Sequence, residues 1–136
     1  MSPVSAIDAR RRDTILIAES SDGNRRLLRW ALESAGYRYI REAKDADDLG
    51  AALQDRAYAL MLVDASIDRL EQLDGASSPL ILMTASLCGG VSSQVKALGA
   101  RACVHRPIYV DELLGAVKKA LASDDETFTR RRAAAA

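Results

Sequence analysis

Five short apolar runs, each followed by a segment with helical spacing, limit what this chain can fold into more than any other feature. They fall at residues 14–18 (TILIA), 39–43, 59–63 (ALMLV), 80–83 and 102–105. A strand that reads as a continuous apolar run is buried on both faces, and strands alternating with helices mark an α/β fold around a parallel sheet. The third run is the purest and ends on Asp64, so it predicts a central strand. The second is interrupted by Arg41 and Glu42 and suits a strand nearer an edge.

The intervening segments fill in the helices. Residues 23–36 place Leu27, Leu28, Ala31, Leu32 and Ala35 on one stripe, with Asp22 as N-cap and Gly36 as the terminating glycine. Residues 45–54 follow through Leu49, Ala52 and Leu53. Residues 67–73 have room for only about two helical turns before Gly75 and Pro79. A Gly89-Gly90 break precedes a helix through Val91, Val95 and Leu98, and residues 110–122 form a last helix with Leu113, Leu114, Val117 and Leu121 inward. In such folds ligands gather at the carboxyl ends of the strands, where Glu19, Ser20, Asp64, Thr84 and Arg106 fall.

The 136 residues are enough for one domain. The expected division is an N-terminal arm at 1–13, the domain at 14–122 and an arginine-rich tail at 123–136, with helix forming in the tail on binding. No apolar stretch approaches the roughly 20 residues that cross a bilayer, and the first residues do not resemble a signal peptide. Cys88 and Cys103 give neither metal spacing nor a disulfide framework and read as packing residues in a reducing compartment, and the lone His105 assembles no metal site with them. The expectation is a cytoplasmic protein with no membrane span. It has no nucleophile paired with a base and no glycine-rich phosphate loop, so it reads as a binding and signalling module rather than an enzyme.

Several motifs in order resemble the CheY-like receiver domain of bacterial response regulators: ILIAE before RRLLRWALESAG, then MLVDA, LMTA and HRPI. The resemblance covers roughly residues 14–121. It implies a flavodoxin-like, doubly wound, five-stranded parallel sheet in the order 2-1-3-4-5, here with a shortened third helix. It also implies that Asp64 accepts a phosphoryl group from a histidine kinase, that Thr84 senses it, that Arg106 before Pro107 contacts its oxygens, and that Glu19 and Asp64 hold Mg²⁺.

The chain departs from the receiver pattern at the same site. Ser20 stands where a second acidic residue ligates the metal, and Mg²⁺ rarely binds without carboxylates. Arg106 replaces a lysine with a longer planar fork, which predicts an ion pair with Asp64 that fixes the pocket in one state. Cys103 occupies the place of the switch aromatic. Only 20 residues separate Asp64 from Thr84. These marks of degeneracy leave three readings open: an adaptor controlled by another input, a phosphorylated receiver, and a constitutive pseudo-receiver scaffold.

The arginines supply the other input. Lys and Arg total 19 against 19 Asp and Glu, yet 15 of the basic residues are Arg, six of them in Arg10-Arg11-Arg12 and Arg130-Arg131-Arg132. Ser123-Asp124-Asp125-Glu126 fits a capping box and predicts a separate short helix ending in the second triplet. Both triplets should emerge at the amino edge of the sheet, away from Asp64. The chain is also similar to CheY-like proteins in which an arginine-rich stretch binds cyclic di-GMP, whose phosphates and guanine edges suit guanidinium groups. The first expectation is therefore a non-catalytic adaptor that docks on a protein partner, the flagellar motor or a kinase, under cyclic di-GMP control. DNA is not expected as a partner. Trp30, off the apolar stripe beside Arg26 and Arg29, is the candidate anchor for the protein partner.

Overall fold

The computed structural model describes residues 14–85 and 97–135, with residues 123–135 described by backbone alone. Strands β1 (Ile15–Ala18), β2 (Ile40–Ala43), β3 (Leu60–Asp64), β4 (Leu80–Thr84) and β5 (Ala102–His105) form one sheet in the order β2-β1-β3-β4-β5. All four pairings are parallel, and every residue of β1, β3 and β4 is buried. The purest apolar run, β3, is the central strand, and the charged run, β2, is an edge, as their sequences predict. Helices α1 (Asp22–Ser34), α2 (Ala46–Asp55) and α3 (Val110–Ala135) complete the described elements, with a 3-10 turn at Leu70–Leu73.

Alternation along the strands divides the core into two layers. Ile15, Ile17, Leu60, Leu62, Ile81 and Met83 face Leu28, Ala31 and Leu32 of α1 and Leu113, Val117 and Ala120 of α3. Leu16, Ala18, Met61 and Val63 face Leu49 and Ala52 of α2, together with Leu70 and Leu73.

The structure corrects the local expectations at several points. Ser21, not Asp22, caps α1, its Oγ accepting from the backbone N–H of Asn24 at 3.3 Å. Gly36 is the expected terminator, with φ of 99° in the left-handed region. Leu27 and Ala35 do not belong to the buried stripe: both are exposed, because the sheet covers only the arc through Leu28, Ala31 and Leu32. The third connection shrinks further than predicted, from two turns to one. Arg69 adopts a left-handed φ of 58°, bonds to Asp47, and is followed by Gln72 donating to the Ala46 carbonyl at 3.2 Å. Cys103 is half-buried on edge strand β5 rather than in the core.

The largest difference lies at the end of the chain. No second helix starts at Ser123: α3 runs unbroken from Val110 to Ala135. A capping residue needs non-helical backbone before it, and residues 120–122 are already helical, which leaves the Ser-x-x-Glu spacing nothing to cap. The Arg101 guanidinium, just before β5, donates to the Ala120 carbonyl at 3.0 Å, so α3 has returned to the amino edge of the sheet by that turn. The helix through Val91 and Val95, together with Cys88 and Arg10–Arg12, lies outside the described residues.

Leu62 lies at the centre of the sheet with no exposure, so Leu62→Ala should cost about 2–5 kcal/mol. Leu27→Ala should cost under about 1 kcal/mol. Urea unfolding of both variants against the parent chain measures the contrast.

Candidate functional site

The sheet order places the ends of β1, β3, β4 and β5 side by side, and the expected constellation converges there. Glu19 directly follows β1 and is 1% exposed, Asp64 ends β3 at 7%, and Thr84 ends β4 at 4%. The register pairs Thr84 with His105, and the next residue, Arg106, donates its backbone N–H to the Thr84 carbonyl at 2.7 Å. The Arg106 side chain thereby enters the pocket from the far side.

Its guanidinium lies between the two acids. Nη2 is hydrogen-bonded to Glu19 Oε2 and stands 3.5 Å from Asp64 Oδ2. The expected Arg106–Asp64 pair is thus only the weaker half of the arrangement. Glu19 is the primary partner because it is the more buried acid and stands in greater need of a counter-charge.

The remaining carboxylate oxygens are also engaged. Glu19 Oε1 accepts from the Ser21 backbone N–H at 3.1 Å and from Asn24 Nδ2 at 3.5 Å. Asp64 Oδ2 accepts from Ser66 Oγ at 2.7 Å, and Oδ1 accepts from the Ser66 N–H at 3.3 Å. Arg25 Nη1 holds the Glu19 carbonyl at 2.9 Å. Ser20 is exposed and makes none of these contacts. Asn24, Arg25 and Ser66 were not anticipated as site residues. The signal for Ser66 was its place two residues after an aspartate, where a hydroxyl and a backbone N–H readily return to the carboxylate.

No protein-family model matches the sequence, and no curated protein does. Solved structures do match. A CheY-like receiver domain protein from Methanospirillum hungatei JF-1 superposes with a TM-score of 0.75 at 22% identity, over 84% of this chain and 97% of that one. The signal receiver domain of an HD domain-containing protein from Pseudomonas fluorescens Pf-5 gives 0.76 at 22% identity, over 88% and 94%. The fold is that of the CheY-like receiver domains. A third relative, the receiver domain of a sensor histidine kinase from Pseudomonas aeruginosa PAO1, gives 0.69 at 20% identity, over 80% and 97%, and carries a magnesium ion in its active-site cleft.

In this receiver fold the residues at the corresponding place do not fit Mg²⁺. The ion needs near-octahedral oxygen coordination and at least one or two available carboxylates. Here a guanidinium stands between Glu19 and Asp64 and brings the positive charge that a metal ion would otherwise supply. The neutral Ser20 side chain adds no carboxylate. The Mg²⁺ site that the receiver resemblance implies at Glu19 and Asp64 would have to displace Arg106 from between the two acids.

The two peripheral candidates fare differently. Trp30 is 60% exposed, with Leu27 beside it at 38%, which fits a contact surface on α1. Arg29 is tied to Glu33 and Glu42 at 2.6 and 2.7 Å, and these partners hold its pKa above the usual guanidinium value. Arg130–Arg132 lie on α3 beyond the turn that meets Arg101, on the side of the domain away from Asp64.

Removing the charge of Glu19 leaves the Arg106 cation half-paired in a mostly buried setting. Glu19→Gln should lower stability by about 1–3 kcal/mol. Ser20→Ala, at an exposed position, should stay within about 0.5 kcal/mol. Guanidinium chloride is unsuitable because it competes for carboxylates; urea titrations of the two variants provide the comparison.

Proposed function

We propose that this chain is a non-catalytic, receiver-fold signalling module. Its acidic pocket is held in one state by an internal cation, and it docks on a protein partner through the α1 surface around Trp30. The observation that carries the reading is the Arg106 guanidinium bridging Glu19 and Asp64. Phosphoryl transfer to a carboxylate requires an available oxygen and neutralisation of the developing charge. The positive charge beside Asp64 is fixed to the protein and already shared with Glu19, and Ser66 binds the Asp64 carboxylate from the other side.

The phosphorylated-receiver alternative is tested directly. Incubated with Mg²⁺ and acetyl phosphate, the parent chain should keep its intact mass. Combining Ser20→Asp with Arg106→Lys supplies the missing carboxylate and exchanges the fork for a compact ammonium. That variant should gain one phosphoryl group, and adding Asp64→Asn should abolish the gain. Phosphorylation of the parent chain itself would overturn the locked-pocket reading.

A second reading concerns the tail. The unbroken α3 backbone carries Arg130, Arg131 and Arg132 past the amino edge of the sheet, where guanidinium groups suit a phosphate-bearing ligand such as cyclic di-GMP. Arg10, Arg11 and Arg12 join the proposal from their place before β1. Calorimetric titration with cyclic di-GMP should show saturable binding that is lost on replacing Arg130, Arg131 and Arg132 with Ala. No heat at tens of micromolar ligand would remove this reading and leave the pocket reading untouched.

A further inference from the structure

The α3 helix is about 39 Å long at 1.5 Å per residue. Burial by the domain is evident as far as Ala120 and Leu121, so about 20 Å of helix follows the last turn seen against the body. Helices of this length owe most of their stability to packing. The sequence of the extension has an unusual symmetry. Reading outward from Phe128, Thr127 mirrors Thr129, Glu126 mirrors Arg130, Asp125 mirrors Arg131 and Asp124 mirrors Arg132.

Helical spacing separates these charges into two groups. Glu126 and Arg130 are four apart and can satisfy each other within one helix. Asp124, Asp125, Arg131 and Arg132 have no opposite charge three or four residues away. At about 100° per residue those four positions fall within roughly 60° of Phe128, as do Leu121 and Ala135. Glu126 and Arg130 fall on the opposite side. One face of the helix therefore carries an apolar centre line flanked by acids toward its start and by arginines toward its end.

We infer that this face is a self-complementary pairing surface, and that its occupant is the same segment of a second copy, antiparallel about a two-fold axis at Phe128. That symmetry sets Asp124 on the same flank as the partner's Arg131 and Asp125 on the same flank as the partner's Arg132. It repeats both pairs across the axis, as an isologous interface must. A parallel arrangement would set like charges together. The axis also brings Ala135 of one helix opposite the partner's Leu121, where that helix meets its own domain. A single aromatic pair with exposed ion pairs gives a small, salt-sensitive interface, with dissociation on the order of 100 µM.

Sedimentation of the full chain at low ionic strength should show a monomer–dimer equilibrium that high salt shifts to monomer. Reversing only the arginines (Arg130→Asp, Arg131→Asp and Arg132→Asp) should give a monomer. Reversing only the acids (Asp124→Arg, Asp125→Arg and Glu126→Arg) should do the same. An equimolar mixture of these two variants should form a heterodimer, and all six reversals in one chain should restore the homodimer. A parent chain that stays monomeric at several hundred micromolar in low salt would overturn the proposal. So would singly reversed variants that dimerise as the parent does. Neither outcome depends on the state of the Asp64 pocket.

Discussion

The buried carboxylate of Glu19 sets the terms for the rest of the site. A carboxylate with almost no contact with water must be paired, and breaking such a pair costs several kcal/mol because the surviving charge stays buried. Arg106 meets that need only because β5 lies beside β4 in register, and because its own backbone N–H is held by the Thr84 carbonyl. The strand order brings residues 19, 64, 84 and 106 to one edge from positions up to 87 apart in sequence. The fold and the pocket electrostatics are thus one arrangement: displacing β5 would strand two acids, and removing the acids would leave a mostly buried guanidinium unpaired.

On the proposed locked-pocket reading, an input at Asp64 works against contacts already made there. Each hydrogen bond to a charged group contributes on the order of 1.5–3 kcal/mol, and Arg106 bonds to Glu19 while standing 3.5 Å from Asp64. Inverting a two-state equilibrium from 1:99 to 99:1 takes about 5.5 kcal/mol of differential binding. An input at Asp64 that rearranged the pocket would draw on that differential binding to release Ser66 and Arg106. Signals that act elsewhere on the domain face no such barrier, so interest moves to the α1 surface and the end of α3.

Much of this was legible in the sequence, for identifiable reasons. A run such as ALMLV, apolar on both faces and too short for an ordinary helix, suits a buried strand of a parallel sheet, so strand identity and order followed from pattern and resemblance. The convergence of Glu19, Asp64, Thr84 and Arg106 came from the same topology. The partner of Arg106 did not, because choosing between two acids at one edge depends on burial, which is a property of the assembled core. The Asp22-for-Ser21 error has a similar origin: both residue types cap helices, and a one-residue choice rests on backbone angles. The capping box at Ser123 failed because it is a local signal, and the helix already in progress overrode it.

The net charge of zero hides opposite uses of arginine. Arg106 is enclosed, pairs with acids of its own chain and makes the pocket rigid. Arg131 and Arg132 fall on the end of α3 with no acid three or four positions away in sequence. A second copy and a cyclic dinucleotide would draw on the same two guanidinium groups, so each would weaken the other by an equal factor, as linkage requires. With both proposals taken together, a phosphate-bearing ligand at the tail would act by separating paired chains, without an internal conformational change in the domain. The two proposals are compatible, because the Asp64 pocket lies at the carboxyl edge of the sheet while α3 runs on past the amino edge.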